Sequence, residues 1–199
     1  MSSKAKLGRL IVFLGPDGAG KSTLLALVEA ELTTRSTYCR SYYFAPGFLK
    51  RYRPKGAASI TANPHKGRQY SSLLVIAKIT LMLFEFCMGM RRVQKQHDIL
   101  LFDRFIHDLL VDPRRYRMDR LRWWMRAMLA LAPKPDLLIV VSAPADLIHS
   151  RKQEVSFEET ERQVIAYKAL AEQFSNSLVI ENTGTPEEAA TAVITHMDI

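Results

Sequence analysis

The sequence predicts an α/β chain built on a parallel, five-stranded sheet with helices on both faces, and three observations predict it. A glycine-rich turn, Gly15-Pro16-Asp17-Gly18-Ala19-Gly20-Lys21-Ser22, follows an apolar run and precedes a helical pattern. Five short apolar runs recur along the chain, and helical patterns separate most of them. That alternation produces parallel strands joined by helical crossovers. It does not by itself set the order of the strands.

The first strand is expected at Arg9 to Leu14, continuously apolar as a strand buried on both faces should be. A helix follows the glycine-rich turn, with Leu24, Leu25, Leu27, Val28 and Leu32 on its core side. Thr37 to Phe44, β-branched and aromatic, reads as strand two and ends at Ala45-Pro46-Gly47. Phe48 to Tyr70, carrying Lys50, Arg51, Arg53, Lys55, Lys66 and Arg68, reads as a mobile basic connection.

Ser71 to Gln96 is the most hydrophobic region and approaches a membrane span in length. Lys78 and Glu85 interrupt it, and each is costly at mid-bilayer, so a long buried helix is the expectation, with a face available for a homodimer over 71–96. Lys78 on such a helix either snorkels or points into a polar cleft. Ile99 to Phe102 is strand three and delivers Asp103-Arg104 at its carboxyl end. Pro113 to Arg126 packs six arginines around Trp123 and Trp124. It reads as an ordinary surface helix or as peripheral membrane contact through 114–126. Asp136 to Val141 is strand four, followed by a short helix through His149 and a polar loop at 151–155. Ser156 to Glu159 is a capping-box pattern opening a helix to about Phe174. Ser177 to Ile180 is strand five, Asn182-Thr183-Gly184 the turn after it, and Thr185-Pro186-Glu187-Glu188 a second capping box that starts the last helix.

Composition narrows the class. The chain of 199 residues suits one domain, 1–199, with no linker. With 48% hydrophobic and 24% charged residues it is far from a disordered composition. Cys39 and Cys87 are the only cysteines, in no metal-ligand spacing, so free thiols in a reducing, cytoplasmic setting are expected. Met1 to Lys6 precede no long apolar h-region, which argues against a signal peptide. The five histidines show no i,i+4 pair of the zinc-protease type, and His107 is of interest only because it lies near Asp103-Arg104.

The chemistry centres on the glycine-rich turn, which matches the P-loop pattern G-x-x-x-x-G-K-[ST] in strand–loop–helix context. Glycines let successive N–H groups point at one anion, and the following helix adds its positive end. Gly15, Asp17, Gly18, Ala19, Gly20, Lys21, Ser22 and Thr23 are therefore candidate ATP-binding residues, with Lys21 reaching the β/γ-phosphates and Ser22 ligating Mg²⁺. Asp103, where an apolar strand emerges, is either a strand-terminating cap or a holder of Mg²⁺ through water. The net charge of +8 suits a polyanionic nucleotide and small-molecule acceptor without specific nucleic-acid binding. No N-K-x-D run supports a GTPase.

The chain resembles the thymidylate kinases and related deoxynucleoside kinases in FLGPDGAGKST at 13–23, FDRF at 102–105 and an Arg-rich lid region at 151–162 ahead of a long helix. Its Arg-dense DLLVDPRRYR, 108–117, also looks like thymidylate kinase-like proteins found with bacterial surface-polysaccharide genes. The resemblance implies a three-layer P-loop kinase with strand order 2-3-1-4-5 and a lid at about 150–160. It implies ATP and Mg²⁺, with catalytic roles for Lys21, Asp103, Arg104 and Arg151 and metal ligation at Ser22 and Asp103. Asp17 matches the position that contacts the substrate sugar, and Asp17, Phe44, Lys78 and Arg104 make up the implied substrate set. The chain departs from the family after strand two, where Phe44-Ala45-Pro46-Gly47 stands in place of Arg-Glu-Pro-Gly, and Lys78 is only a stand-in for the acceptor-helix arginine. Three functions are therefore expected to compete: a nucleoside monophosphate kinase with dTMP as first acceptor, a kinase acting on a sugar or glycan end, and a nucleotide-dependent membrane-surface binding protein without turnover.

Overall fold

The computed structural model describes residues 7–35, 37–45 and 70–197. The basic stretch from Phe48 to Gln69 and the Pro46-Gly47 turn lie outside the described residues, as do Met1 to Lys6. Among the described residues the order is β1 (Arg9–Leu14), α1 (Lys21–Thr34), β2 (Cys39–Tyr43), α2 (Ser72–Gln94), β3 (Ile99–Asp103), α3 (Asp108–Val111), α4 (Arg122–Leu129), β4 (Leu137–Ser142), α5 (Ala145–Arg151), α6 (Phe157–Ala171), β5 (Ser177–Glu181) and α7 (Pro186–His196). The five strands form one sheet in the order β2-β3-β1-β4-β5, all pairs parallel.

Strand alternation divides the core in two. Leu10, Val12, Leu14, Leu100, Phe102, Leu138 and Val140 face α2, α3, α4 and α6. Ile11, Phe13, Leu101, Leu137, Ile139 and Val141 face α1, α5 and α7. Both faces are apolar because both are covered, which is why β1 and β4 read as unbroken hydrophobic runs. At the edge where the strands begin, Arg9 Nη1 donates to the Met197 carbonyl at 2.8 Å and joins β1 to the end of α7.

The edge where the strands end is shaped by two left-handed residues. Phe44 (φ 61°) follows β2 and Arg104 (φ 69°) follows β3. Each still donates its N–H to the neighbouring strand, Phe44 to Asp103 O at 3.0 Å and Arg104 to Phe13 O at 3.0 Å. Each then turns the chain out of the sheet, so both side chains leave at the level of the P-loop segment.

Two expectations need correction. The arginines of 113–126 do not share a helix. Pro113 follows the α3 cap residue Asp112, the Arg115 N–H is captured by Asp112 Oδ1 at 3.1 Å, and Arg117 and Leu121 adopt left-handed φ values of 58° and 57°. Helix α4 therefore begins only at Arg122, leaving Arg114, Arg115, Arg117 and Arg120 outside any helix. Helix α2 is only half buried. Val75, Ile79, Met82, Glu85, Phe86, Gly89 and Met90 face the core, while Leu73, Leu74, Leu81, Phe84 and Met88 are exposed. It is the one helix among the described residues long and apolar enough to cross a membrane by length and composition.

Candidate active site

The P-loop segment leaves β1 and is shaped by its glycines. Gly15, at φ 144°, lies so close to β4 that a Cβ would come within 2.1 Å of the Val141 carbonyl oxygen. Gly20, at φ 94°, would place a Cβ 2.3 Å from Asn182 Nδ2. Asn182 leaves β5, is itself buried, and donates to the Ala19 carbonyl at 2.8 Å. The loop is thus pressed from β4 and tied from β5, and Lys21 closes it by donating to Pro16 O at 2.7 Å.

A cleft of about 570 Å³ opens above the loop. Its lining brings together Asp17, Gly18, Gly20, Lys21, Ser22, Thr23, Asp103, Arg104 and Arg151 of the expected set. Gly15 and the fully buried Ala19 lie behind it as backbone support. Phe44 and Lys78 are elsewhere. Phe44 stacks on Tyr116 with ring centroids 5.0 Å apart, and Lys78 Nζ sits 3.9 Å over the Tyr70 ring. Helix α5 ends at Arg151, so this residue enters the cleft from a helix terminus, followed by the short loop of the expected lid.

Below the cleft is a buried ionic network. Arg104, 3% exposed, donates from Nη1 to Asp108 at 2.7 Å and from Nη2 to Asp17. Asp108 is fully buried and also accepts from the hydroxyls of Tyr116, at 2.6 Å, and Tyr167. Arg115 reaches Asp17 from the other side. Burial pushes the Asp17 carboxyl up, but Arg104, Lys21 and Arg115 together hold it well below the usual carboxylate range. Asp108 is likewise held below that range, against burial, by Arg104 and the two tyrosine hydroxyls. Burial opposes the charge on Arg104, yet Asp108, Tyr167 and Asp17 keep it firmly cationic. Lys21 is pushed down to about 8 by burial and by the neighbouring Arg104 guanidinium, only partly offset by Asp17, Asp103 and Asp108.

Asp103 and Ser22 meet at the ends of β3 and the loop. Ser22 Oγ donates to Asp103 Oδ2 at 2.6 Å, while Asp103 Oδ1 is buried without a hydrogen-bond partner. An orphaned carboxylate oxygen beside a hydroxyl fits a divalent cation or one of its waters. Among the described residues no group of three or more His, Cys, Asp or Glu clusters as a metal site. An ion here would take few protein ligands and complete its shell from phosphate and water, as suits Mg²⁺.

Sequence reasoning missed Asp108, Asn182 and the cleft role of Arg115. Asp108 opens the stretch 108–117, which was singled out only for its arginines, Asn182 read as a turn residue, and Arg115 was one arginine among six. No protein-family model matches the chain, and no curated protein matches it.

Proposed function

We propose that the protein is an ATP-dependent phosphotransferase of the nucleoside monophosphate kinase type, similar to thymidylate kinases, with dTMP the first acceptor to test. The observation that carries this is the Ser22–Asp103 pair, with its unpartnered Oδ1, at the mouth of a cleft whose other walls are the P-loop segment and Arg104. The cleft sets five cationic side chains, Lys21, Arg104, Arg115, Arg151 and Lys152, against two carboxylates, Asp17 and Asp103. That excess of positive charge fits a triphosphate.

In this reading the loop amides and Lys21 hold the donor phosphates, and Ser22 and Asp103 hold Mg²⁺, which neutralises phosphate charge when bound. Arg151 faces the γ-phosphate from the lid side, and Arg104, locked by Asp108, stands on the acceptor side. An acceptor oxygen attacks the γ-phosphorus, the bond to the bridging oxygen breaks, and ADP leaves. Such a transfer needs little covalent help from the protein, so alignment and fixed positive charge supply most of the rate.

ADP release with MgATP and a panel of acceptors tests the reading. Turnover is expected with dTMP or a related nucleoside monophosphate; no ADP release with any phosphate-bearing acceptor would overturn it. A kinase for a sugar or glycan end is the second reading, supported by Tyr43, an exposed aromatic ring that lines the cleft next to the uncharged Phe44-Ala45 exit. Sugar-dependent ADP release without nucleotide preference would favour it. The apolar outer face of α2 supports the third reading, membrane-surface binding without turnover. Along it Leu74, Ala77, Leu81, Phe84 and Met88 recur at alternating spacings of three and four residues, which equally suits a seam between two copies of the chain. Liposome sedimentation and sedimentation velocity separate these occupants.

A further inference from the structure

The exit of β2 carries no charge. Phe44 turns inward at φ 61°, stacks on Tyr116 and meets Phe86 edge-on at 6.0 Å. Lys78 is held over Tyr70 and does not line the cleft. The turn after α3 occupies the ground instead. It is fixed at Asp112, which accepts the Arg115 N–H, and at Tyr116, whose ring is clamped by Phe44 and whose hydroxyl is bound to Asp108. Arg115 lies between these anchors and extends into the cleft, where it pairs with Asp17. Its Nη1 is also 3.9 Å from Glu154 Oε2, and Glu154 in turn binds Lys152 at 2.7 Å. Asp17 is thus flanked by two guanidiniums, Arg104 from β3 and Arg115 from the turn.

We propose that Arg115 is the second cation of the acceptor site: together with Arg104 it grips a phosphomonoester on the acceptor, and Phe44 serves by clamping Tyr116 and thereby aiming Arg115. The assignment rests on the kinase reading above. A guanidinium has five donors in a rigid fork, so Arg115 keeps Asp17 on Nη1 and has further donors to offer an oxyanion. Glu154 stands 3.9 Å from the same Nη1 that holds Asp17, and an incoming phosphate takes its place beside the guanidinium. Asp17 remains with Arg104 and Arg115 to hold a neighbouring hydroxyl. A neutral sugar brings no charge to replace Glu154, so the pair selects for an anionic acceptor. The guanidinium comes from a turn that the aromatic residue at the β2 exit holds in place.

Calorimetric titration tests this with the full chain, its donor site saturated by a non-hydrolysable ATP analogue and Mg²⁺. The probes are dTMP and inorganic phosphate, and the variants are Arg115→Gln, Arg115→Lys and Phe44→Ala. Arg115→Gln is expected to weaken anion binding by about tenfold to a hundredfold, the range for losing a charged hydrogen bond. Arg115→Lys should recover part of the loss, Phe44→Ala should show a smaller one, and in each variant the loss in anion affinity should exceed any change in affinity for the ATP analogue. Unchanged anion affinity in Arg115→Gln, or no binding of either anion by the analogue-loaded wild-type chain, overturns the assignment and leaves the nucleotide reading standing. Failure of the wild-type chain to bind the analogue overturns the kinase reading itself. Where Arg115→Gln does not fold, equal anion affinity in Arg115→Lys, Phe44→Ala and wild type overturns the assignment.

Discussion

At Asp103 one carboxylate oxygen holds the Ser22 hydroxyl and the other has no partner. Asp103→Asn keeps the shape and an acceptor for Ser22 but removes the charge that would hold a cation. Turnover at saturating ATP should fall by about a hundredfold or more, in the range seen for lost electrostatic stabilisation of a transition state. Mg²⁺ titration of ADP release should show a matching rise in the metal needed, while the thermal midpoint stays near that of the wild type. His107 is a different kind of buried group. Burial, reinforced by Lys134, pushes its pKa down from 6.5 to about 4. The fold therefore favours neutral imidazole, and its stability is complete above pH 6.5. As pH falls from 6.5 toward 4 the unfolded chain takes up a proton that the native chain refuses, and roughly 3 kcal/mol is lost. Urea unfolding across that window should show the loss in the wild type, and His107→Gln should flatten it. The places of Lys21 and Asp103 in the cleft were legible, Lys21 from the spacing of the P-loop motif and Asp103 from its position at the end of an apolar strand. Arg115 was not, since its meaning comes from Asp17, which is distant in the chain and near only in the fold.

The elements differ in how far their ends are written locally. Helix α7 carries a full capping box: Thr185 accepts from the Glu188 N–H at 3.3 Å and the Glu188 carboxylate accepts from the Thr185 N–H at 3.0 Å. Helix α6 is capped by Ser156, which accepts from the Glu159 N–H at 3.3 Å, while the Glu159 carboxylate binds Arg162 at 2.6 and 2.8 Å and Gln163 at 3.1 Å. Thr185→Ala should cost about 1 kcal/mol in urea unfolding, the usual value of such a cap. Because Gly184 and Pro186 line the cleft, the same variant should also weaken binding of the ATP analogue slightly, a readout that an ordinary cap would not move. Both helix starts were legible because a cap is a short-range pattern. The region from 113 to 126 was misread because charge density says nothing about φ. Pro113 and the left-handed Arg117 and Leu121 decide where the helix begins.

Over the whole molecule, the sheet was legible because β1, β3 and β4 are apolar on both faces, and buried parallel strands must be. The strand pattern alone did not set the order, since crossover lengths permit several arrangements; the order 2-3-1-4-5 that the resemblance implies is the one observed, with β1 between β3 and β4 and the P-loop segment at the centre. The contact between Arg9 and the Met197 carbonyl has a practical consequence. It brings the first strand and the last helix together at the edge of the sheet remote from the P-loop cleft. A circular permutant that bridges 197 to 9 with a flexible linker and opens the chain at the exposed Lys134 should keep the same sheet. Its far-ultraviolet circular dichroism and affinity for the ATP analogue should match those of the parent. The back of the sheet is thus the place to attach a reporter or a surface tether, leaving the mouth of the cleft clear.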